Sequence, residues 1–169
     1  MTPPAARHTV IANQAMPIKR LPPNVSGDGR RVAVVLSRFN AAIGEALLAG
    51  ALRGLQEAGV AERDILVVTV PGALETPLVL QRLAQAGEHD ALVALGAVVR
   101  GETYHFEIVA NESAAGVAGV QLEFGIPIGN GILTTETEAQ AVDRAETKGF
   151  EAAQAALELA NLLDAIDEE

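Results

Sequence analysis

An imidazole titrates near neutral pH and can pass protons in either direction, which makes histidine the first residue to look for. The sequence holds three: His8, His89 and His105. His105 ends the segment Arg100-Gly101-Glu102-Thr103-Tyr104-His105 and opens a helical pattern, whereas His8 falls in an aperiodic stretch and His89 in a polar turn. Taken alone, His105 reads equally as a proton carrier or as a histidine hydrogen-bonded at a helix start. Gly101-Glu102-Thr103 suits an anion, because glycine lets the backbone come close and amides opening a helix point their positive end at a ligand. Thr103 as a simple helix cap is the plainer alternative. Phe39, between Arg38 and Asn40, could lie against a flat heterocycle or plug the core. Glu75, after Pro71-Gly72, could accept hydrogen bonds from a polyol or ring nitrogen, or simply favour a helix start. Arg144 stands among Glu138, Asp143 and Glu146, where a solvated salt bridge is its default.

These residues come together only if the elements between them deliver them to one surface. Arg31–Ser37 (RVAVVLS), Ile65–Val70 (ILVVTV) and Ala91–Val99 (ALVALGAVV) are continuous apolar runs, the pattern of strands covered on both faces. A weaker strand over Pro127–Leu133, with a leading proline and two glycines, suits an edge. Helical spacing marks 41–58, closed by Gly59, then 75–86, closed by Gly87, and about 103–122, with Phe106, Val109, Ala110, Ala114 and Val117 on one side. Two final helices are expected at 136–147 and 150–166, parted at Lys148-Gly149. Residues 1–30, rich in proline, glycine and polar side chains, read as a flexible arm before one domain at 31–169. Alternating strands and helices imply right-handed crossovers and an α/β three-layer sandwich around a four-stranded parallel sheet. Ligands bind beyond the carboxyl ends of such strands. That edge receives Phe39, Glu75 and His105, while the opposite edge receives ordinary polar turns.

Composition narrows the classes. A net charge of −10 opposes binding to nucleic acid or an anionic membrane, though one arginine and local dipoles can still hold a small anion. With no cysteine there is no disulfide and no thiolate, and no second histidine near His105 suggests a metal. No G-x-G-x-x-G or P-loop motif is present. The N-terminal residues lack the apolar run of a secretory signal, and no stretch is apolar enough to span a membrane, so a cytoplasmic protein is expected.

SRFN (37–40), VPGALETP (70–77), LGAVVRGETYHFEIVANESAAGV (95–117), GILTTETEAQAVDRA (131–145) and AALELANLL (155–163) stand in an order that resembles lumazine synthase over residues 31–163. The resemblance implies a flavodoxin-like fold without a cofactor. It also implies condensation of 5-amino-6-(D-ribitylamino)uracil with 3,4-dihydroxy-2-butanone 4-phosphate to 6,7-dimethyl-8-ribityllumazine, the penultimate step of riboflavin biosynthesis. By position, His105 matches the catalytic histidine and Phe39 the aromatic that stacks on the pyrimidine. Ala73, Leu74 and Glu75, with Ala97, Val98 and Val99, match the segments holding that substrate. Glu102 and Thr103 match the phosphate cradle, and Arg144 the arginine that reaches phosphate from an adjacent chain of a pentamer. The implied partners are the two small substrates, further copies of the chain in a pentamer or multiple of five, and riboflavin synthase as a candidate. Two positions depart: Asn130 replaces the usual phenylalanine of the pyrimidine site, and the 147–150 loop is short, leaving Lys148 to match the family's lysine. Asn130 keeps open the alternative of a lumazine- or flavin-binding, or shell-forming, relative with little catalysis.

Overall fold

A computed structural model describes residues 18–169. The first 17 residues of the expected arm, His8 among them, lie outside the described residues. Four strands, β1 (Val32–Ser37), β2 (Ile65–Val70), β3 (Ala91–Val99) and β4 (Ile128–Thr135), form one parallel sheet in the order β2-β1-β3-β4. Helices α1 (Ala41–Glu57) and α4 (Glu138–Asp167) cover one face, and α2 (Thr76–Ala86) and α3 (His105–Phe124) the other. Side chains alternate between the faces: Val32, Val34 and Leu36 join one core, Ala33 and Val35 the other. Both cores are built from Val, Leu, Ile and Ala alone, as a chain poor in aromatics requires.

The expected three-layer sandwich is present, with four local corrections. β2 is not a buried strand: it is the second edge of the sheet, and Leu66 and Val67 are exposed there. An apolar run marks a strand covered on both faces only when neighbours exist to cover it. β4 is the edge strand expected, but it continues through Thr134 and Thr135, which pair with Val98 and Val99. The buried face of α3 is Ser113, Val117 and Val120, and Ala114 is exposed.

The fourth correction concerns the C-terminal region, which is one helix of 30 residues rather than two. Gly149 is not a break; it is where α4 meets α1. A Cβ on Gly149 would lie 1.9 Å from the Leu47 carbonyl oxygen, and one on Gly50 would lie 1.9 Å from that of Glu146. The helices therefore touch backbone to backbone, and glycine serves close approach here rather than termination. Thr137 caps this helix, its side chain accepting from the Gln140 amide at 3.2 Å.

Residues 24–30 are tied to the body. Asn161 donates to the carbonyls of Asn24 and Ser26, each at 2.9 Å, and Arg30 donates to Asn161 at 2.6 Å and Asp164 at 2.5 Å.

Candidate active site

The chain leaves β1 in a turn fastened to its neighbours. The Arg38 amide donates to the Val70 carbonyl at 2.9 Å and the Phe39 amide to Pro71 at 3.1 Å, so the exits of β1 and β2 remain paired. Asn40 then adopts the left-handed conformation (φ 58°, ψ 51°), which asparagine tolerates better than most residues. Its Nδ2 donates to the Ala97 carbonyl at 2.9 Å, fixing this turn to β3. The result presents Phe39 outward, 68% exposed for so large an apolar ring. Beside it runs the β2 exit. A Cβ on Gly72 would stand 2.8 Å from the Phe39 ring and 3.0 Å from a Glu75 carboxylate oxygen, so only glycine lets these two side chains close on the backbone. A single 3-10 turn, Ala73–Glu75, carries Leu74 and Glu75 to the opening before α2 begins.

His105 is the first residue of α3 and is exposed. It borders two adjoining cavities. One, of about 300 Å³, is lined by Phe39, Asn40, Ala73, Ala97, Val98, Val99, His105 and Val109. The other, of about 200 Å³, is lined by Gly72, Leu74 and Glu75 together with Phe39, Ala73, His105 and Val109. Eight of the expected site residues thus meet in one place: a flat apolar wall, an imidazole, a carboxylate and the end of β3.

Four expected substrate-binding residues, and Lys148 with them, lie elsewhere. Glu102 and Thr103 are exposed in the loop before α3 and line neither cavity. Thr103 does not cap the helix, since the capping position is Tyr104 and no side chain bonds there. Arg144 projects from α4 with its Nη1 donating to the Gln140 carbonyl at 2.9 Å, and no described carboxylate pairs with it, so its default salt bridge is absent. Asn130 stands exposed on β4, opposite Ala94, its Oδ1 accepting from the Ile132 amide at 3.0 Å. Lys148 lies within α4 and pairs with Glu151.

Sequence reasoning missed Asn40 and Val109 as cavity walls. The signal for Asn40 was an asparagine between a strand and a helix, the type of residue that takes a left-handed turn. It also missed Arg100. That guanidinium donates from Nε to Glu136 at 2.5 Å and from Nη1 to Glu107, and lies 4.2 Å from the centre of the Phe106 ring. Hydrogen bonding from Arg100 holds the Glu107 carboxyl below the usual carboxylate range, and Glu136 with Glu107 raises Arg100.

Comparison with known proteins bears on the family of the whole chain. The family model described as 6,7-dimethyl-8-ribityllumazine synthase matches residues 29–164. A protein of that name from Paraburkholderia phymatum is 52% identical over 153 residues, covering 90% of this chain and 89% of the relative. One from Ralstonia nicotianae is 55% identical over 146 residues, covering 86% and 89%, and one from Ralstonia pickettii is 54% identical, covering 86% and 88%. The chain belongs to the 6,7-dimethyl-8-ribityllumazine synthase family.

Proposed function

We propose that the protein condenses 5-amino-6-(D-ribitylamino)uracil with 3,4-dihydroxy-2-butanone 4-phosphate, giving 6,7-dimethyl-8-ribityllumazine, phosphate and water. The observation that carries this reading is His105 standing at the mouth of a cavity walled by Phe39, at the carboxyl edge of the sheet. Imine formation, loss of phosphate, ring closure and dehydration each move protons, and one imidazole that both gives and takes them can serve every step without a cofactor. Phe39 supplies a stacking face for the pyrimidine, while the backbone at Ala97, Val98 and Val99 and the turn at Ala73, Leu74 and Glu75 supply polar contacts to ring and ribityl chain. The amides of Glu102 and Thr103 cradle the phosphate. Holding both substrates in one cleft supplies much of the remaining rate.

Arg144 and Asn130 line neither cavity of their own chain. In a pentamer, or a multiple of five, they serve a neighbour's site, Arg144 reaching the phosphate and Asn130 facing the pyrimidine. The setting is the cytoplasm, with riboflavin synthase as the next partner; among the described residues no helix is long and apolar enough to cross a membrane. Asn130 favours a second reading, a binding or shell-forming protein with little catalysis, whereas His105, Glu75 and Arg144 together favour the enzyme. Mixing the protein with both substrates and following lumazine absorbance separates the two. Growth of the lumazine band supports catalysis; binding of lumazine or flavin without turnover supports the alternative.

A further inference from the structure

Arg100 leaves β3 with its amide donating to the carbonyl of Thr135, the last residue of β4, at 2.9 Å. Its guanidinium then joins two other segments. Glu107 and Phe106 follow His105 in the first turn of α3, and Glu136 opens the connection to α4. One side chain therefore ties together the end of the sheet, the turn that carries His105, and the start of the helix that carries Arg144. The planar fork suits this: two edges donate to separate carboxylates while its face lies on an aromatic ring. Lysine, a point charge without a face, offers no equivalent.

The charge balance matters as much as the geometry. Two carboxylates, Glu107 and Glu136, flank one guanidinium, so the group sums to −1, with Glu102 close by in the loop. This cluster borders the segment that, on the reading above, receives a phosphate dianion. Without the guanidinium, an anionic substrate would approach two uncompensated carboxylates.

We infer that Arg100 is a positioning residue for the reaction: it fixes the 101–104 loop and the first turn of α3, and it neutralises two carboxylates that would repel the phosphate-bearing substrate. The inference rests on the function proposed above. Each ion pair is partly exposed and individually weak, so the expected effects are moderate.

The test compares the wild type, Arg100→Lys, Arg100→Gln and Arg100→Gln/Glu107→Gln, in lumazine formation and in calorimetric binding of inorganic phosphate. Arg100→Gln should raise KM for the butanone phosphate about three- to tenfold, with KM for the ribitylaminouracil changed less than about twofold. The gap should narrow as salt rises, because screening weakens repulsion between exposed charges. Arg100→Lys should restore KM but not the whole of kcat, since it returns charge without the fork, and the double variant should recover part of the KM lost in Arg100→Gln. Equal rises in both KM values, or a loss that salt does not alter, would show a merely structural residue and overturn the inference. If the wild type makes no lumazine, the proposed function fails on its own. Phosphate affinity then decides: a weakening in Arg100→Gln that salt relieves sustains the charge role, and equal affinity ends it.

Discussion

A cavity of about 340 Å³ lies at the amino edge of the sheet and one of about 300 Å³ at the carboxyl edge, so size does not tell them apart. Their walls do. At the amino edge three of the cavity's charged groups are already engaged: Arg30 with Asn161 and Asp164, and Asp90 with the Arg31 amide at 2.7 Å. At the carboxyl edge, Phe39 is exposed and His105 and Glu75 face the cavities without a side-chain partner among the described residues. An exposed aromatic ring beside an imidazole and a carboxylate, neither with a side-chain partner among the described residues, is what distinguishes the carboxyl-edge cavity.

If this contrast is real, substitutions at the carboxyl edge should change turnover and leave stability alone, and those at the amino edge should do the reverse. The largest effect is expected of His105→Ala. Its kcat for lumazine formation, at saturating substrates, should fall by about 10²–10⁴-fold while the circular dichroism spectrum and melting point stay put. An unchanged kcat would dissolve the contrast at its centre. Arg30→Ala is the mirror experiment. Loss of its charge-assisted bonds to Asn161 and Asp164 should cost about 1 kcal/mol in denaturant titration, with kcat unaltered; a drop in kcat alongside would mean the edges are not independent.

Asn130→Phe asks whether the open edge extends to a neighbouring chain. It should lower KM for the ribitylaminouracil by about tenfold or less, an aromatic contact being worth roughly 0.5–1.5 kcal/mol beyond area. Weaker pyrimidine binding would instead reveal a specific polar contact from Asn130. The smallest effect concerns His89, half-buried at the amino edge with its Nδ1 unpartnered. Burial first, then Arg31, holds its pKa below the ordinary 6.5. The unfolded chain then binds the proton more readily, so this residue's contribution to stability is present above pH 6.5 and is lost as pH falls below it. His89→Gln should flatten the fall in melting point between pH 7 and pH 5.5, and a slope equal to that of the wild type would assign the acid sensitivity elsewhere.

The strands and their order along the chain were legible because continuous apolar runs and glycine stops are local signals. The carboxyl edge followed from them, and with it Phe39, Glu75 and His105. The exposure of β2 was not legible: ILVVTV reads alike whether a strand lies at the centre or the edge, and only sheet order decides. Nor was the unity of α4, since Gly149 looks the same as a stop and as a contact point until α1 is in place. Arg100 was passed over because its partners, Glu107 in the first turn of α3 and Glu136 before α4, are far apart in the sequence. The roles of Arg144 and Asn130 depend on a second copy of the chain, which no periodicity within one chain can express.

The contact between Gly50 and Gly149 has an evolutionary consequence. Each glycine makes room for the other helix's carbonyl at the same crossing, so a side chain at either position forces both helices apart. The first substitution bears the whole cost, and after it the second glycine has lost its reason to be one. Neighbouring sites of this kind are not additive. Substituting either of these two residues, about a hundred positions apart, should therefore cost nearly as much stability as substituting both, which makes the pair a single unit for any change of this packing.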